Sequence, residues 1–155
     1  MDRASSVSTR DLVLPRHPRA AAATRRAVAA LLPDCSDIVD LGQLLVTETV
    51  SNAVRHTGSN HVVVRIAVSA SGELYCAVFD TAPDLPTPGS YSPHQPGLSA
   101  ESGRGLFLLD SLSQAWGCEQ ERHGKWVWFR LSPQSQPTES ADSDTPAYAD
   151  ALTAA

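Results

Sequence analysis

Two periods of apolar residues alternate along this chain, and their order predicts its elements. In PRAAAATRRAVAALL (residues 18–32), Ala20, Ala23, Ala27 and Leu31 recur at helical spacing. Pro18 suits the first turn of that helix, and Pro33-Asp34 breaks it. A second helix is predicted from Ile38 to Arg55, with His56-Thr57-Gly58 as its stop. HVVVRIAVS (61–69) and ELYCAVFD (73–80) are rich in β-branched and aromatic residues and read as strands, joined by Ala70-Ser71-Gly72. GRGLFLLDSLSQAW (103–116) returns to helical spacing through Leu106, Leu109 and Leu112. WGCEQE (116–121) and KWVWFRL (125–131) close the pattern as two strands around Arg122-His123-Gly124. Leu12-Val13-Leu14, ending at Pro15, reads as a short edge strand.

This order groups helices and places strands as adjacent hairpins. It predicts an α+β fold: a two-layer α/β sandwich with a mixed or antiparallel sheet, covered on one face by helices. Residues 1–10 read as a disordered N-terminus, 11–131 as the domain, and 132–155 as a disordered acidic tail. The tail is rich in Ser, Pro, Ala and Asp and has no basic residue. Between the second and third strands, residues 81–102 carry Pro83, Pro86, Pro88, Pro93 and Pro96. A loop that long is usually a lid or disordered.

The second helix contains a conflict. TETVSNAVRHTG (47–58) sets Glu48, Asn52 and His56 one turn apart, so they form a polar row. Leu41, Leu44 and Leu45 lie near that row, and Val46, Val50, Ala53 and Val54 lie opposite. A helix apolar on both sides is expected to be largely buried. A buried carboxylate is costly without a partner, so something should sit over the row. The alternative is that Glu48 lies on a solvated face.

Composition narrows the picture. A chain of 155 residues fits one domain, and a net charge of −5 argues against nucleic acid as the main partner. Lys125 is the only lysine, and reads as a solvated strand residue. Cys35, Cys76 and Cys118 are an odd set without CxxC spacing, which reads as reduced thiols in a cytosolic protein. No apolar run approaches the ~18 residues of a membrane helix. The N-terminus lacks an apolar signal-peptide core. His61, His94 and His123 have no metal-ligand spacing, so no zinc site is expected. Trp116, Trp126 and Trp128 read as sheet packing.

Three features carry chemistry. SGRGL (102–106) ends the long loop and opens a helix, whose free N–H groups can bind phosphate. The alternative there is a simple turn. An Asn oxygen such as that of Asn52 suits Mg²⁺, which takes few protein ligands and completes its shell with water and phosphate. Glu48 could then accept a proton from a hydroxyl attacking a γ-phosphate. Asp80 ends a strand, either as a turn former or as an acceptor for an exocyclic amine.

The order of helix ExxxN, strand-end Asp, long loop and GxG helix resembles the histidine-kinase-like ATPase fold. LLVTETVSNAVRHTGS, VFDTAPDLP, GRGLFLLDSLSQAWG and GKWVWFRL look most like the anti-sigma-factor serine/threonine kinases within it. The likeness covers roughly residues 12–131. It implies that Glu48 is the catalytic base and that Asn52 holds Mg²⁺, with His56 on a matching position. It further implies that Asp80 binds the adenine amine, and that Gly103, Arg104, Gly105 and Leu106 contact the phosphates. Residues 81–102 would be the ATP lid. A cytoplasmic protein kinase acting in transcription regulation is then expected. It would bind Mg-ATP, sequester a sigma factor and phosphorylate a small antagonist (anti-anti-sigma) protein, and form a homodimer as family members often do. The alternative is a non-catalytic nucleotide-binding protein–protein interaction module. No direct nucleic-acid or membrane partner is expected. This sequence departs from the family in one respect that bears on the pocket. Trp126 stands where a small hydroxyl residue often follows Gly-Lys, and is expected to crowd the adenine pocket.

Overall fold

The computed structural model describes residues 7–32, 37–90 and 102–133. In chain order the elements are β1 (Ser8–Pro15), α1 (Arg19–Leu31), α2 (Val39–His56), β2 (His61–Val68), β3 (Leu74–Asp80), α3 (Ser102–Leu112), β4 (Ala115–Glu121) and β5 (Gly124–Leu131). The strands form one sheet in the order β1-β2-β3-β5-β4, and every neighbouring pair is antiparallel. The expected α+β sandwich is therefore present, with a purely antiparallel sheet.

Alternation along the strands separates two faces. Val62, Val64 and Ile66 of β2, Leu74, Cys76 and Val78 of β3, and Val127, Phe129 and Leu131 of β5 are buried on one face. They form one core with Ala27 and Val28 of α1, Leu45, Val46 and Val50 of α2, and Leu109 of α3. Fully burying each large apolar side chain contributes about 1.5–3 kcal/mol. Local propensity could not hold these helices alone, so this shared layer is what stabilises them.

The helix-free face is covered by its own side chains. Tyr75 stacks on Trp128 with ring centroids 6.0 Å apart, and Phe79 meets Trp126 at 5.2 Å. The Arg65 guanidinium lies 4.8 Å from the Trp126 ring centre and pairs with Asp11 at 3.3 Å. Gly117 lets Trp128 lie close, since a Cβ there would stand 3.0 Å from the indole. Trp126 and Trp128 are thus packing residues, as expected.

Several boundaries move. The first strand starts at Ser8, not after a disordered stretch reaching residue 10, because Ser8, Thr9 and Arg10 pair with Val68, Ala67 and Ile66. The third helix ends at Leu112 rather than at residue 116. Ser113 Oγ donates back to the Leu109 carbonyl at 2.5 Å, and Gln114 N–H has already turned to the Arg130 carbonyl at 2.9 Å. Of the expected tail, Ser132 and Pro133 are described; residues 134–155 lie outside the described residues, as do residues 1–6 and Cys35. Cys76 is a buried free thiol and Cys118 a half-buried one.

Gly42 is where α2 presses closest on the sheet. A Cβ at this position would stand 2.8 Å from Leu74 Cδ2 and 3.4 Å from Val28 Cγ1. Gly42→Leu is expected to lose about 1–3 kcal/mol through overpacking. Urea unfolding checks this, and an unchanged midpoint would show that α2 does not seat there.

Candidate functional site

Asp80 and Lys125 define one end of the site. The β3–β5 register sets them directly opposite each other, and both lie on the helix-covered face. Asp80 is 6% exposed and Lys125 is 5% exposed. Lys125 Nζ pairs with Asp80 Oδ1 at 3.1 Å and donates to the Ala82 carbonyl at 2.9 Å. Asp80 Oδ1 also accepts the Ala82 N–H at 2.8 Å. The expectation of a solvated Lys125 is therefore wrong. Its alternation partners on β5 are the buried Val127, Phe129 and Leu131, so the strand carries it inward. Gly124 next to it has no room for a side chain, because a Cβ would collide with the Asp80 carbonyl oxygen and the Phe79 ring.

Trp126 does not crowd this pocket. It pairs with Phe79 in the sheet and points to the opposite face, where its indole donates to Glu121 Oε1 at 2.8 Å.

The polar row of α2 meets α3. A Cβ on Gly105 would stand 2.9 Å from Asn52 Nδ2 and 3.3 Å from Glu48 Oε2. The element expected over the row is thus the glycine helix itself, and only a residue without a side chain permits this approach. Glu48 and Asn52 are half-buried, which lies between the buried and the solvated alternatives. Leu106 is half-buried, whereas Arg104 and His56 are exposed. Gly103 lies in the first turn of α3. The GxG segment is therefore helical from Ser102 onward and not a turn before a helix.

Hydrogen bonds fasten these parts together. At the end of α2, Thr57 Oγ1 and Thr81 Oγ1 lie 3.1 Å apart, and Thr81 Oγ1 accepts the Gly58 N–H at 2.8 Å. Arg16 Nη1 donates to the Thr57 carbonyl at 3.0 Å. The C-terminus of the ExxxN helix is thereby tied to the residue after Asp80. On the other side, Asp110 of α3 accepts the Gly89 N–H at 2.9 and 3.1 Å and the Trp116 indole N–H at 2.6 Å. Gly89 has a φ of 79°, which favours glycine. The expected lid begins from this anchored segment, and its residues 91–101 lie outside the described residues.

Sequence reasoning missed Lys125, Thr57, Thr81 and Asp110. Only Lys125 had a legible signal, its parity with Val127 and Phe129. Burial pushes the Cys118 thiol up, and the nearby Lys125 charge pulls against that shift.

The arrangement fits a nucleotide carrying one hard cation. Asn52 offers an amide oxygen to Mg²⁺, which takes few protein ligands when it is shared with phosphate. The glycine helix brings N–H groups to the polar row, and Asp80 Oδ2 has no protein donor among the described residues. Breaking the Asp80–Lys125 pair should be costly. Asp80→Ala is expected to lose roughly 3–5 kcal/mol, because it strands a buried charge, and Asp80→Ala/Lys125→Met should recover most of that loss. Denaturant unfolding of both variants checks this, and a double variant no better than the single one contradicts it.

Comparison with known proteins identifies the family. An uncharacterized protein of Streptomyces coelicolor is 35% identical over 92 residues, 59% of this chain and 83% of that protein. A crystal structure of the RsbU and RsbW domains of Rv1364c from Mycobacterium tuberculosis superposes with a TM-score of 0.56 at 20% identity. The match covers 81% of this chain but only 32% of that longer chain, and it speaks to fold alone. The profile of the histidine kinase-like ATPase domain matches residues 14–131, which spans β2 to β5, the ExxxN helix and the glycine helix. The chain therefore belongs to the histidine kinase-like ATPase domain family.

Proposed function

We propose that this protein binds Mg-ATP and acts as a protein-serine kinase of the anti-sigma-factor type. The observation that carries the reading is the seating of Gly105 against both Asn52 and Glu48. A structural helix pair would gain more from an apolar contact there than from a carboxylate and an amide. The motif resemblance to anti-sigma-factor kinases supports the finer assignment.

In this reading Asn52 holds Mg²⁺ through its amide oxygen. The N-terminal turn of α3, with Gly103, Arg104, Gly105 and Leu106, faces the phosphates, where its unpaired N–H groups and dipole favour negative charge. Asp80 accepts the exocyclic amine of adenine. Bound ATP supplies the γ-phosphoryl group. Glu48 takes the proton of the partner's seryl hydroxyl as that oxygen attacks. His56 lies one turn beyond Asn52 and stands at the rim of the site. The acceptor is a small antagonist protein bearing a serine, and a sigma factor is the sequestered partner. The protein works in the cytoplasm and pairs with a second copy. No helix among the described residues is long and apolar enough to cross a membrane.

Thermal unfolding with Mg-ADP tests the nucleotide site. At ~100 times its dissociation constant a ligand stabilises by about 2.7 kcal/mol, roughly 5–15 °C for a domain this size. The shift should require Mg²⁺ and should be lost in Asn52→Ala. No shift at millimolar nucleotide would refute the kinase. Glu48→Gln should abolish transfer from γ-labelled ATP to an antagonist protein while leaving ADP binding nearly unchanged. Transfer at the normal rate in that variant would remove Glu48 as the base.

A further inference from the structure

Lys125 is the only lysine among 155 residues, and the fold buries it. Nothing in the sheet demands a charge there. The inward side of β5 continues as Val127, Phe129 and Leu131, and an apolar residue at position 125 would extend that series. Buried ion pairs of this kind are often no more stable than a well-packed apolar replacement. The pair therefore calls for a reason other than stability, and its free valences supply one. An ammonium group has three protons. Nζ donates one of those to the Ala82 carbonyl and forms an ion pair with Asp80 Oδ1. Asp80 Oδ1 is also engaged by the Ala82 N–H, while Oδ2 has no protein donor among the described residues. Nζ thus keeps a proton to donate, and Asp80 an oxygen to accept, at the end of β3.

An adenine edge presents the complementary pair. Its exocyclic amine donates, and the ring nitrogens on either side, N1 and N7, accept. We propose that Lys125 is a base-recognition residue, whose Nζ donates to the ring nitrogen beside the amine that Asp80 accepts. This rests on the nucleotide reading above and adds a second, charged contact to the base. The same Nζ holds the Ala82 carbonyl, so the contact to the base and the start of the loop after β3 share one group. Gly124 and the Thr57–Thr81 contact keep that end of β3 fixed, so the donor and acceptor are held ready for the ligand.

The test compares Mg-ADP with Mg-1-deaza-ADP and Mg-7-deaza-ADP by calorimetry on the full chain. Each analogue lacks one ring acceptor. One of the two should bind roughly 10- to 100-fold more weakly than ADP, the worth of a hydrogen bond to a charged group. Lys125→Met should erase that difference. If both analogues bind wild type like ADP, or if Lys125→Met still discriminates, the inference is overturned and the nucleotide site stands. If ADP itself does not bind, both readings fall. Should Lys125→Met fail to fold, the single lysine offers a second readout. Lysine-selective ¹⁵N labelling gives one Nζ resonance in wild type. That resonance should move with Mg-ADP and move less with the weaker analogue. A resonance indifferent to ADP would overturn the assignment.

Discussion

The buried pair of Lys125 and Asp80 is the constraint from which the site takes its shape. Two opposite charges at 3.1 Å, each under a tenth exposed, are tolerable only if each satisfies the other. That condition fixes the register of β3 against β5, because a one-residue slip of β5 would turn Lys125 to the aromatic face and leave Asp80 without its partner. It also fixes the backbone after β3, since Ala82 gives its N–H to the carboxylate and its carbonyl to the ammonium. The Asp80–Lys125 end of the site is thus built by sheet pairing and not by a loop.

The α3 end of the site depends on a different physical condition, the absence of atoms. Gly105 lets α3 settle onto Glu48 and Asn52 at a distance where a Cβ would stand 2.9 Å from the Asn52 amide and push it aside. Gly42 does the same where α2 meets the sheet. Both close approaches position the polar row of α2 between a rigid apolar layer and the glycine helix. The Thr57–Thr81 contact joins the two ends, and Asp110 holds Gly89 and Trp116 against α3. A site assembled from strands and helices in this way is held more firmly than one carried on loops.

Much of this was legible in the sequence for reasons that can be stated. Period-two runs such as HVVVRIAVS and helical runs such as LLVTETVSNAV have one interpretation each, so every element was found. The conflict of Glu48 and Asn52 within an apolar helix correctly demanded a covering element. What covered it was not readable, because close approach to a glycine depends on tertiary packing. Trp126 and Lys125 were assigned to the wrong faces, although the parity of KWVWFRL with Val127 and Phe129 already separates them. That error came from reading charge as exposure, a rule that fails when a partner waits on the next strand. The Gly89–Asp110 and Thr57–Thr81 contacts join residues 21 or more positions apart and leave no local trace.

The central claim is that the glycine helix, the polar row and the buried ion pair surround one nucleotide. Mapping amide and side-chain resonances during titration with Mg-ADP tests it most directly. The account predicts that Ala82, Gly105 and the Asn52 side-chain amide shift together with a single affinity, while the Trp126 and Trp128 indoles on the far face stay unchanged. Shifts centred on those indoles, or none at saturating nucleotide, would contradict it.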